Sequence, residues 1–157
     1  QVLDFGALSD GTVVMAMELL TGEDLANKLA RDGALRVSEA CQLVSHVCAA
    51  LGAAHAKGIV HRDLKPDNIF IVTDAEAPGG ERAKLLDFGI AKMADEFRGS
   101  VRTQVNVIMG TPAYMAPEQC RGSKGVGDRT DVYALGCILF ENMSSVEKVR
   151  EPFPTWL

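Results

Sequence analysis

Three short stretches hold most of the residues whose types could do chemistry. His61-Arg62-Asp63-Leu64-Lys65-Pro66-Asp67-Asn68 sets a carboxylate, an ammonium and a carboxamide side by side. Asp87-Phe88-Gly89 offers a second carboxylate with a glycine just behind it, and Ala116-Pro117-Glu118 follows Gly110-Thr111-Pro112. A carboxylate can take a proton from a hydroxyl, and an ammonium stabilises negative charge as it develops. Carboxylate and carboxamide oxygens are the hard ligands that magnesium accepts. Gly89 frees the backbone to turn directly after Asp87. The tripeptide Asp-Phe-Gly occurs twice, so context has to choose between the copies. Asp4-Phe5-Gly6 falls in a hairpin strand and reads as structural, whereas Asp87-Phe88-Gly89 follows a strand and opens a long irregular stretch.

The elements that must position these residues are legible from periodicity. Val2 to Phe5 and Thr12 to Leu20 read as strands joined at Ser9-Asp10-Gly11. Asp24 to Arg31 reads as a short helix closed by Asp32-Gly33, and Ser38 as the N-cap of a longer one. In that longer helix Ala40, Leu43, Val44, Val47, Leu51 and Ala54 recur at three- and four-residue spacing, one buried stripe that ends at Lys57-Gly58. The octapeptide lies in the turn just after it. Two strands, Asn68 to Val72 and Ala83 to Leu86, flank a turn containing Pro78-Gly79-Gly80. Ala91 to Met115 carries no sustained period, which in a compact domain either undermines the assignment of elements or marks a functional loop. From Asp131, an N-cap by residue type, Val132 to Phe140 forms a helix that is apolar nearly all round.

The three motifs in this order resemble the signature set of eukaryotic-like Ser/Thr protein kinases. Ala54-His55-Ala56-Lys57-Gly58-Ile59-Val60 and Tyr114-Met115 have the flavour of the bacterial type. The resemblance runs from about Val2 to about Asn142. It implies an α+β, two-lobed kinase fold that is partial: the end of the N-lobe sheet and the hinge in residues 1–20, the first part of the helical C-lobe in 21–141, and a divergent tail in 142–157. It also implies a role for each matched residue. Asp63 accepts the substrate hydroxyl proton, Lys65 stabilises charge on the γ-phosphate of ATP, and Asn68 and Asp87 bind Mg²⁺. Lys65 and Thr111 are the Ser/Thr-class residues at their positions. Met17 is the gatekeeper of the adenine hinge, with Glu18 and Leu20 offering backbone groups, Asp24 the ribose contact and Phe70 the pocket floor. His61, Phe88 and Leu3 belong to a hydrophobic column between the lobes, although plain strand core describes Leu3 and Met17 equally well. Asp131 fastens the backbone of the catalytic loop, a role compatible with helix capping. The irregular stretch becomes an activation segment from Asp87 to Glu118. In it Arg62 clamps a phosphate carried by Ser100 or Thr103, which solvated loop residues would also explain, and Glu118 pairs with an arginine of a later helix.

Bulk properties narrow the remaining classes. The chain has 157 residues, 47% hydrophobic and 24% charged, with a net charge of −5. That charge opposes a nucleic-acid partner, and no membrane segment or targeting leader is expected. The four cysteines, Cys41, Cys48, Cys120 and Cys137, have neither disulfide-motif nor zinc-ligand spacing and read as small buried hydrophobes of a reducing cytoplasm. His46 and His55 read as packing or surface residues.

Two departures from the family pattern temper the activity expected of this stretch. No glycine-rich phosphate loop or strand lysine precedes the hinge. After Glu141, the sequence Asn142-Met143-Ser144-Ser145-Val146-Glu147-Lys148 lacks the expected small-residue turn, with Pro152-Phe153 a displaced remnant. The sequence therefore reads as a kinase that phosphorylates protein Ser/Thr hydroxyls, the fragment alone being inactive. The alternative is a truncated kinase that binds a partner through an exposed helix without catalysis.

Overall fold

The computed structural model describes residues 2–88, 112–121 and 126–143. Gly89, Ser100, Thr103 and Thr111 lie outside these residues, as does 144–157 of the tail. The architecture is α+β, as the sequence implied: two small antiparallel sheets, with helices packed on the second.

Strands β1 (Val2–Ala7) and β2 (Val13–Met17) form the first sheet, paired from Val2↔Met17 to Ala7↔Val13 with an irregularity between Val2 and Asp4. The turn closes because Asp10 Oδ1 accepts the Thr12 N–H at 2.8 Å and Gly11 takes φ +84°. Strand β2 stops at Met17, short of the expected Leu20, and Glu18 to Thr21 runs outside both sheets.

The second sheet has the order β3 (Gly22–Asp24), β4 (Ile69–Thr73), β5 (Glu81–Leu85), antiparallel throughout. Strand β3 has no signal of its own in the sequence. Its entry needs a glycine, because a Cβ on Gly22 would lie 1.9 Å from the Ile71 carbonyl oxygen. Helix α1 (Leu25–Asp32) follows at once, capped by Asp24, whose Oδ1 accepts the Asn27 N–H at 2.7 Å.

Helix α2 (Val37–His55) starts before Ser38, which lies inside its first turn. Arg36 stands at the cap instead: its N–H donates to Glu39 Oε2 at 3.2 Å, and its carbonyl accepts the Ala40 N–H at 3.0 Å. Ala40, Leu43, Val47 and Leu51 are buried as the stripe predicts and pack with Leu25, Leu29, Leu64, Ile69, Ile71, Ala134, Leu135 and Ile138 in one core. At 19 residues and a mean hydropathy of 1.2, α2 is long and apolar enough to cross a membrane. Its stripe is nevertheless spent on this core, and Gln42 and His46 face β5: Gln42 Nε2 donates to Glu81 O and the Ala83 N–H donates to His46 Nδ1.

Two further helices are found among the described residues, α3 (Pro117–Cys120) and α4 (Asp128–Met143). Asp131 therefore sits inside α4 rather than at its cap. The helix is not buried all round: Val132, Tyr133, Phe140 and Met143 are exposed, while Ala134, Leu135 and Ile138 face the core. The cysteine expectation also fails. Cys41 and Cys48 are exposed, on a flank of α2 outside its stripe, and Cys120 and Cys137 are only half-buried.

Candidate active site

The catalytic loop is built by alternation. His61, Leu64, Pro66 and Asn68 are buried, so the residues between them, Arg62, Asp63, Lys65 and Asp67, are turned toward solvent. A 3-10 turn over Pro66–Asn68, with Pro66 supplying its preset φ, brings Asn68 back beneath Asp63. Asn68 Nδ2 donates to the Asp63 carbonyl at 2.8 Å and approaches Asp63 Oδ2 at 3.4 Å. Lys65 Nζ lies 3.4 Å from the same Oδ2. The spacing is long for a hydrogen bond, so the pair is electrostatic and neither group is locked by the other. Asp63, Lys65 and Asn68 thus form one cluster.

Asp87 is brought alongside by the end of β5. The Leu86 N–H donates to the Asn68 carbonyl at 2.9 Å, and the Leu86 carbonyl accepts from His61 Nε2 at 2.9 Å. A carbonyl can only accept, so Nε2 carries the proton and the buried Nδ1 is left without a partner. The His61 ring also meets Phe88, centroid to centroid at 5.0 Å. Asp87 itself has φ +57° and Arg62 has φ +68°, the two positive-φ positions not occupied by glycine among the described residues. Such backbone persists where its surroundings over-determine it, and such positions cluster at functional sites.

For Arg62 the surroundings are visible. Asp131, 1% exposed, takes the Arg62 N–H on Oδ1 and the His61 N–H on Oδ2, both at 2.9 Å. His55 Nε2 reaches Asp131 Oδ2 at 2.7 Å from the last turn of α2. From the other side, Gln119 Nε2 donates to the Arg62 carbonyl at 2.7 Å. Neither His55 nor Gln119 was singled out from the sequence as a site residue. Nothing in their local spacing points at Asp131 or Arg62, and only the packing of α2, α3 and α4 around the loop does.

The end of the stretch expected to be an activation segment, Tyr114 to Glu118, is anchored on α4. Thr130 Oγ1 donates to Glu118 Oε1 at 2.8 Å, and the Tyr114 hydroxyl donates to Glu141 Oε2 at 2.5 Å. Burial, reinforced by that carboxylate, holds the Tyr114 phenol above its ordinary pKa. A hollow between the loop and this anchor is lined by Asp63, Leu64, Tyr114, Met115, Gln119 and Thr130, among others.

Two of the expected nucleotide residues, Asp24 and Phe70, fall into one row. In the second sheet Asp24 pairs with Phe70 and Phe70 with Lys84. Lys84 Nζ in turn reaches Glu18 Oε1 at 2.9 Å, and this ion pair is the chief cause holding the Glu18 carboxyl below its ordinary pKa. The Asp24 carboxylate is engaged by Asn27, through its backbone and its side chain. Leu20 is half-buried, whereas Met17 and Leu3 are exposed on the first sheet, Leu3 by 65%.

Magnesium fits the donor set. No group of three or more His, Cys, Asp or Glu side chains that would cage a metal exists among the described residues. Magnesium needs no such cage, since it is held by one or two protein oxygens together with phosphates. Donation from Nδ2 to Asp63 fixes the Asn68 amide so that its oxygen is the end left to ligate, and Asp87 is exposed.

Comparison with known proteins agrees with this geometry. The sequence matches the protein kinase domain family over residues 5–154. It is 43% identical over 146 residues to the serine/threonine-protein kinase pkn3 of Myxococcus xanthus, covering 92% of this chain and 26% of that protein. It is 48% identical over 140 residues to Pkn1 of the same organism, covering 88% of this chain and 18% of that protein. The crystal structure of the Mycobacterium tuberculosis PknI kinase domain superposes with a TM-score of 0.68 at 31% identity, over 92% of this chain and 49% of that one. The chain thus spans about a quarter or less of these curated relatives and about half of the PknI kinase domain. On sequence and fold alike, the chain belongs to the protein kinase domain family, in its bacterial serine/threonine-kinase branch.

Proposed function

We propose that the kinase domain containing this chain transfers the γ-phosphate of ATP to serine and threonine hydroxyls of protein substrates. The observation that carries this reading is the convergence of Asp63, Lys65 and Asn68 within hydrogen-bond and ion-pair distance, on a loop fastened by Asp131. Asp63 orients the acceptor hydroxyl and takes its proton, so the oxygen attacks in line. Lys65 meets the charge that develops on the transferred group. Asn68 and Asp87 hold the magnesium of MgATP, which neutralises phosphate charge when bound. Glu18 and Leu20 present backbone to the adenine, with Met17 as gatekeeper, Phe70 as floor and Asp24 toward the ribose. Arg62, whose side chain is exposed, serves as the clamp for a phosphate on Ser100 or Thr103. In this reading Thr111 is the Ser/Thr-class residue that serves Asp63 and Lys65, Gly89 is the glycine behind the metal ligand, and Leu3 joins the column of His61 and Phe88. The division at residues 1–20, 21–141 and 142–157 belongs to the same reading, as does a cytoplasmic site of action, where ATP is available.

Asp63→Asn in the complete domain tests it. Losing a general base costs about 10²- to 10⁴-fold in transfer, measured with radiolabelled ATP and a serine-containing protein, while nucleotide binding persists. Undiminished turnover would overturn the assignment. The second reading, a non-catalytic docking module, draws on the exposed Val132, Tyr133 and Phe140 of α4. It predicts no transfer by the complete wild-type domain, and it leaves the retention of all four polar residues without a purpose.

A further inference from the structure

We infer that Gln119 is a positioning residue of the catalytic loop: its carboxamide holds the Arg62 backbone, and so aims Asp63, from the end of the activation segment. This rests on the reading of Asp63 given above. Arg62 occupies a left-handed conformation, φ +68°, that a long side chain adopts only under constraint. Both polar groups of its backbone are gripped, and by different elements. Asp131 of α4 takes the N–H at 2.9 Å, and Gln119 of α3 gives a proton to the carbonyl at 2.7 Å. The Arg62 carbonyl and the Asp63 N–H belong to one planar peptide. Fixing that carbonyl therefore fixes the plane from which the Asp63 side chain departs.

The other end of the carboxamide shows why glutamine is needed. Gln119 Oε1 accepts the Ala116 N–H at 3.1 Å, which orients the amide with its nitrogen toward Arg62. Glutamate would keep this acceptor and lose the donor. Lysine would keep a donor and lose the acceptor. The two contacts join Ala116, next to Pro117-Glu118, directly to the peptide ahead of the catalytic carboxylate. Asp131 grips the loop from the core, and Gln119 grips it from beside Ala116-Pro117-Glu118.

The complete kinase domain carrying Gln119→Glu or Gln119→Ala tests this with two readouts. In steady-state transfer from ATP to myelin basic protein, kcat should fall about five- to tenfold, the worth of one neutral hydrogen bond, with KM for ATP essentially unmoved. In amide hydrogen exchange, the peptide covering residues 59–66 should lose protection while α2 keeps its own. Wild-type kcat and wild-type exchange in Gln119→Glu would overturn the inference. So would protection lost equally across α2, which would make Gln119 a general determinant of the fold. If the wild-type domain transfers no phosphate, the proposed function fails, and the exchange result still decides for or against Gln119.

Discussion

The β1–β2 hairpin and the catalytic loop are both short, irregularly bounded stretches carrying an Asp in a recognisable motif, yet they are held in opposite ways. No described residue before Leu25 is buried, and Val2, Leu3, Leu8, Val14 and Met17 are exposed. The hairpin's order comes from its own ladder and an Asp10 turn, and a lone two-stranded pair of this kind is marginal in water. The catalytic loop has no ladder. It is pinned by buried His61, Leu64 and Pro66 and by side chains from α3 and α4 that bond its backbone, the α4 carboxylate of Asp131 being held in turn by His55 of α2. The same tripeptide, Asp-Phe-Gly, shows the contrast in miniature. In β1 it lies in ordinary strand pairing, and Asp4 Oδ1 bonds only the next N–H that is described. At Asp87 it follows a peptide clamped by Asn68 and His61 and enters a left-handed turn. A motif becomes a site where distant elements hold it, and that is a property of the tertiary bed rather than of the tripeptide.

The largest break in this comparison should come from Asp131→Ala. Three donors lose their acceptor: the His61 N–H in a buried setting, and the Arg62 N–H and His55 Nε2 in half-buried ones. Each orphaned donor costs about 1–3 kcal/mol. Urea unfolding of the complete domain should therefore show a loss of at least about 3 kcal/mol, and transfer should fall further than stability alone explains, because the backbone before Asp63 is released. A midpoint within error of wild type would mean that solvent or the relaxed loop satisfies those donors, and that the fastening is dispensable.

Next in size is a paired truncation. Leu51→Ala on α2, 3% exposed in the wild type, should cost about 2–5 kcal/mol through lost transfer energy and a cavity. Val14→Ala in β2, exposed by 41%, should stay within about 0.5 kcal/mol. Equal losses at the two positions would show that the hairpin is packed as firmly as the core and would dissolve the distinction between the regions.

What the sequence disclosed follows the same divide. The α2 stripe was legible because four buried residues repeat at helical spacing, and the octapeptide because its residue types and order are dense in information. Three local signals misled. Ser38 and Asp131 are good caps by type, but the helices start at Val37 and Asp128, where tertiary contacts and neighbouring side chains decide. The cysteines read as buried because the residue usually is, yet Cys41 and Cys48 sit on the face of α2 that the stripe leaves out. Strand β3 was invisible because three residues, one of them glycine, have no period to detect; it exists through pairing with β4. His55 and Gln119 were missed for a related reason. His55 acts on Asp131 and Gln119 on the Arg62 carbonyl, partners reached only after the chain has folded back, and no local pattern encodes that.

The smallest expected effect lies at the seam between the two regions. Glu18, just past the hairpin, pairs with Lys84 of β5 at 2.9 Å, and Lys84 stands in the row with Phe70 and Asp24. Both partners are well exposed, their side chains by 42% and 35%, so solvent screens most of the attraction and salt weakens it further. The pair therefore contributes orientation more than strength: it sets where the backbone of Glu18, the proposed adenine contact, stands relative to the pocket floor. Lys84→Ala should leave kcat unchanged and raise KM for ATP by no more than about threefold, since an exposed pair is worth that little. The rise should vanish in half-molar salt, where the wild-type pair is screened too. A tenfold or salt-insensitive rise would mean that Lys84 contacts the nucleotide itself, and the seam would then be part of the site rather than its frame.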